Sequence, residues 1–117
     1  MHVIALAPNR IIELSLFLID GSNKTIKDHI HNNYDLLVRA VHAPEITDHL
    51  VAKHVITREQ QSEIRGETDR RQQMRDLLDL ILDSCHPKSG IEFVNSLQKS
   101  YRSYAEKLTK GFTNQYL

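Results

Sequence analysis

Apolar residues recur along this chain with the spacing of helices. Ile26, Ile30, Tyr34, Leu37 and Val41 stand at steps of four, four, three and four, which lines one face of a helix. Ala43-Pro44 closes that run, because proline cannot continue a helix but suits the first turn of the next. Ile46 and Leu50 give a second helix a short apolar face, and Val55-Ile56 ends it. Thr57-Arg58-Glu59-Gln60 has the order of a capping box, in which the Thr57 hydroxyl and the Gln60 side chain satisfy free backbone amides. The third helix it opens is expected to stop with Gly66 in the left-handed position.

The fourth helix carries the clearest pattern. Met74, Leu77, Leu78, Ile81 and Cys85 share one stripe, and Leu80 and Leu82 widen it, which predicts a place at the centre of the bundle. Thr68 or Asp69 is positioned to cap its start. Pro87 opens a fifth helix with Ile91, Phe93, Val94 and Leu97, and Tyr101, Tyr104, Ala105 and Leu108 continue as a sixth that stops at Lys110-Gly111. Leu97, Tyr101, Tyr104 and Leu108 keep register, so periodicity alone also allows these two to be one helix. Period-two alternation is absent, and the one Asp-Gly, Asp20-Gly21, precedes a helix rather than joining two strands. The fold class is therefore all-α: a six-helix bundle over residues 22–110, antiparallel because its loops are short. Residues 1–21 form an unassigned apolar leader and residues 111–117 a C-terminal tail. The leader is open to several readings, among them an extra helix, an extension and an element exchanged between copies.

Composition narrows the functions. The 117 residues suit one domain, and fifteen basic and fifteen acidic residues give zero net charge, which argues against a general nucleic-acid partner and favours self-association. The single cysteine, Cys85, excludes an internal disulfide and points to a reducing, cytoplasmic setting, with Cys85 itself a buried thiol on the fourth helix. No apolar run is long enough to cross a membrane. Seven histidines raise the question of a metal, but His29 and His31 point apart on a helix and Cys85-His86 has no second cysteine beside it. No phosphate loop, nucleophile elbow or metal-ligand motif is present. The expectation is a protein without catalytic, cofactor or metal site.

One ordered set of motifs remains. Ile46-Thr47-Asp48-His49-Leu50 is followed by Val55-Ile56-Thr57, Glu63-Ile64, Arg70-Arg71, Leu77-Leu78-Asp79, and Pro87-Lys88 with Phe93 and Leu97. Together they resemble a caspase-recruitment domain (CARD) of the death-fold superfamily, over roughly residues 24–108. Gly90 departs from the pattern, standing where many members carry a bulky apolar residue. The resemblance implies a Greek-key helix order and homotypic CARD–CARD interaction in apoptotic or innate immune signalling. Its implied partners are CARD-containing caspases, nucleotide-binding sensors or adaptors, with possible self-association into oligomers or filaments. It also implies a basic patch, here Arg70, Arg71 and Arg75 with Lys27 and Arg39. The matching acidic patch is Glu45, Asp48, Glu59 and Glu63. Two other roles stay open: a CARD-only decoy that caps a partner's assembly, and an unrelated helical DNA-binding or scaffold domain. Charged helix faces are most often simply solvated, and an exposed ion pair contributes only ~0–1 kcal/mol.

Overall fold

Asn33 divides the first apolar stripe into two helices, α1 (Ser22–Asn32) and α2 (Tyr34–Ala40). Its side-chain amide donates to the His29 carbonyl at 2.8 Å, an oxygen that also receives the Asn33 backbone N–H. Asparagine competes with the helix for its own carbonyls in this way, and the chain bends where it does. The stripe survives the bend: Ile26, Ile30, Leu37 and Val41 are buried. The computed structural model describes residues 22–109. The expected leader and tail, and the Lys110-Gly111 stop, lie outside them.

The second helical segment is a 3-10 turn, Ala43–Glu45, with Pro44 in its opening positions, followed by α3 (Thr47–Ala52). The left-handed residue expected at Gly66 is found instead at His54, with φ 63°. There the His54 amide bonds the Val51 carbonyl and the Val55 amide bonds Leu50, closing α3. Gly66 remains inside α4 (Arg58–Gly66), and Glu67 leaves it in extended backbone. The capping box at the start of α4 forms with both bonds, 3.0 and 2.9 Å.

Asp69 caps α5 (Arg70–Asp83) by accepting the amides of Arg71 and Gln72. The helix ends at Asp83, so Cys85 lies beyond it and is exposed, not buried on its stripe. Ser84 turns the chain into extended backbone, where Lys27 Nζ donates to its carbonyl at 3.0 Å. Helix α6 (Ser89–Leu97) begins after the turn through Pro87. A further turn through residues 98–100 separates it from α7 (Arg102–Leu108), so the fifth and sixth expected helices are distinct.

Among the described residues there are seven α-helices, one 3-10 turn and no strand. Helix α5 touches α1, α2, α4, α6 and the 3-10 turn, and Met74, Leu77, Leu78 and Ile81 are fully buried, which puts it at the centre. Gly90 fits the seam between α1 and α6. A Cβ there would lie 3.1 Å from Ile26 Cγ2 and 3.2 Å from both Asn23 oxygens, carbonyl and side-chain. The Asn23 side-chain oxygen accepts the amides of Gly90 and Ile91 at 2.7 and 3.2 Å. A residue of α1 thus supplies the cap that α6 lacks locally.

Candidate functional site

The first turn of α5 carries Arg70 and Arg71, and the second carries Arg75. Arg71 and Arg75 are four residues apart and share a face. Arg39 of α2 joins them, and the three line one groove with Asp35 and Val38. Arg75 donates to the Gln72 side chain at 3.3 Å and Arg39 to the Asp35 carbonyl at 3.3 Å. None of the three forms an ion pair among the described residues.

The other two basic residues stand apart. Lys27 is bonded to the Ser84 carbonyl at the far end of α5, ~20 Å along the helix from Arg71. Arg70 acts electrostatically on Tyr101, whose hydroxyl donates to Glu45 and accepts the His42 amide. Burial and the Glu45 hydrogen bond raise the Tyr101 pKa, and Arg70 opposes the shift.

The acidic residues differ in how free they are. Glu45 is held by Tyr101. Asp48 accepts from Gln61 at 2.7 Å and pairs with Arg65 at 3.2 Å. Glu59 and Glu63 are exposed on α4 and have no ion pair among the described residues. Glu63 also lines a groove with Asp76, Asp79 and Asp83 of α5. Tyr34 of α2 donates to Asp79 at 2.9 Å. Burial, then this bond and the Asp79 charge, push the Tyr34 pKa up to about 12.

Charge along α5 is therefore segregated: basic near its start, acidic toward its end. The signal was available in the sequence, since Arg71, Arg75, Asp79 and Asp83 recur every four residues. The order also runs against the helix dipole, which favours acids in the first turn and bases in the last. Helix α5 has neither. A structural His49–Glu92 contact at 3.0 Å joins α3 to α6 and uses one of the seven histidines.

A family model described as "Caspase recruitment domain" matches residues 27–111. That span takes in all of the described helices except the first five residues of α1. No curated protein and no solved structure matches the chain.

Proposed function

The chain belongs to the caspase recruitment domain family, and from that premise we propose a homotypic interaction module that assembles apoptotic or innate immune signalling complexes in the cytoplasm. Members of the family act by protein–protein interaction rather than catalysis. The partner class is other CARD-containing proteins, whether caspase, nucleotide-binding sensor or adaptor. The observation that carries the surface is the groove where Arg39, Arg71 and Arg75 converge without an ion pair among the described residues. Arginine can hold a carboxylate through two parallel hydrogen bonds, which fixes orientation as well as charge. In the proposed contact, Arg71 and Arg75 of one copy engage Asp48, Glu59 or Glu63 of the next. Different patches meeting head to tail give an open helical filament unless the rotation closes a ring.

Light scattering with negative-stain microscopy across concentration and salt tests this. Wild type is expected to form salt-sensitive assemblies, alone or seeded by a CARD partner, and Arg71→Glu with Arg75→Glu is expected to abolish them. Undiminished assembly by that double variant overturns the surface.

A second reading has its own observation. Asp48 and Glu45 are already engaged within the molecule, so the acidic side is less available than the basic one. A one-sided CARD would join the end of a partner's filament and stop it, as a decoy does. Wild-type chain that shortens a partner's filaments without forming its own supports the decoy.

A further inference from the structure

The outer row of α5 is self-complementary. Arg71 and Asp83 stand six residues either side of Leu77, and Arg75 and Asp79 two residues either side. All four lie on a single row of i, i+4 positions, which on an α-helix runs as one inclined ridge. Arg71, Asp79 and Asp83 are exposed and Arg75 is partly so. Glu63 flanks the acidic half, while Arg39 and Asp35 together flank the basic half.

Two such ridges, turned end for end, match completely. When the helices cross at about 50°, their i, i+4 rows run parallel. A two-fold axis across the ridge at the level of Leu77 then sets Arg71 opposite the second copy's Asp83, and Arg75 opposite its Asp79. The same two pairs recur by symmetry. This contact is isologous and closes after two copies, unlike a head-to-tail filament.

We propose that two copies of this chain pair through the outer row of α5 in an antiparallel, two-fold dimer, and that this dimer withholds Arg71 and Arg75 from assembly. The withholding rests on the assembly surface proposed above; the pairing does not. The acids of this dimer, Asp79 and Asp83, differ from the acids of the assembly contact, so the two can be separated. A contact centred on one helix is smaller than the ~800 Å² per partner of stable complexes, so the dimer is weak and reversible. A resting form that must release its arginines needs that property.

The charge order gives an independent reason to look here. Arginines in the first turn and an aspartate in the last oppose the helix dipole. Reversing Asp83 should therefore raise the melting temperature of the monomer while it weakens the dimer, a pairing of effects that a structural role does not produce.

The test is sedimentation velocity on the full chain, up to ~500 µM, at ~0.05 M and ~0.5 M salt. Wild type is expected to dimerise reversibly in low salt and to dissociate in high salt. An all-acidic row (Arg71→Glu, Arg75→Glu) and an all-basic row (Asp79→Lys, Asp83→Lys) should each stay monomeric, and their equimolar mixture should form a one-to-one dimer. The mixture controls for folding, because an unfolded variant cannot restore the pair. Asp83→Lys alone, at the exposed end of the helix, should weaken the dimer roughly tenfold. Glu59→Lys should impair filaments and leave the dimer intact, which separates failure of the assembly surface from failure of the pairing. A wild type that stays monomeric in low salt, or a mixture that stays monomeric, overturns the dimer. Filament formation no easier in Asp79→Lys with Asp83→Lys than in wild type overturns the withholding.

Discussion

At the seam between α1 and α6, one Asn23 oxygen holds two amides of the facing helix, and an added methyl on Gly90 would press on three atoms at 3.1–3.2 Å. Along the outer row of α5, four charges follow one another with no ion pair among the described residues, and the two outermost, Arg71 and Asp83, stand against the helix dipole. The seam is close-packed, with two cap amides satisfied by Asn23 and the buried Ser89 hydroxyl beside them without a partner among the described residues; the row faces solvent, and Asp79 in it holds the Tyr34 hydroxyl. Substitutions at the seam should therefore register as stability, and substitutions at Arg71 and Asp83 of the row as association; Asp79 registers as both, because it also holds the Tyr34 hydroxyl.

The sharpest way to break the seam is Gly90→Leu, which forces a large side chain against Ile26 and Asn23. It is expected to cost about 3 kcal/mol in urea unfolding, as overpacking does. Ile26→Ala should relieve part of that cost, so the double variant loses less than the two single losses added together. Asn23→Ala keeps the packing and removes the cap, for a loss of about 1–2 kcal/mol.

Tyr34 sits between the two regions, tying α2 to α5 through Asp79. Its pKa is raised to about 12 from the ordinary 10.0. The proton is held more tightly in the folded state, so this contribution is complete below pH 10 and is lost as pH rises toward 12. Tyr34→Phe should lose about 1 kcal/mol near neutral pH and should flatten the alkaline limb of stability between those values. Absorbance titration should show a phenol ionising near pH 12 in wild type that is missing from the variant.

His54→Gly should gain about 0.5–1 kcal/mol, because glycine occupies the left-handed position without the penalty that a Cβ brings. The smallest stability effects belong to the row. Arg71→Glu or Asp83→Lys should shift folding by about 0.5 kcal/mol, in the stabilising direction, while changing self-association severely. A large destabilisation by either would erase the contrast between seam and row.

How far the sequence reached follows the same division. Periodicity identified the buried faces, since burial repeats along each helix; Ile26, Leu50, Leu77, Leu78 and Phe93 are fully buried. Local capping chemistry at Thr57 and Asp69 was also readable, because donor and acceptor lie within three residues. What escaped was non-local or conformational. The Asn33 bend depends on a choice between two donors for one carbonyl. The left-handed turn fell on His54, a residue type enriched there, while attention to glycine led to Gly66. Cys85 followed the stripe in register but not in space, because the helix had already ended. Among the charges, spacing grouped Arg71 with Arg75. Only the fold brought Arg39 to them and sent Lys27 to the other end of α5.

The cap that Asn23 places on α6 also bears on how the chain folds. A nine-residue helix without a cap of its own has little stability in an unfolded chain. Its first amides find their acceptor 67 residues away, so α6 can be completed only after the chain has brought its distant parts together. Closure of so long a loop slows folding and makes it more cooperative. The amides of Gly90 and Ile91 should accordingly exchange with solvent deuterium only when the whole bundle opens, which makes them native reporters of global unfolding.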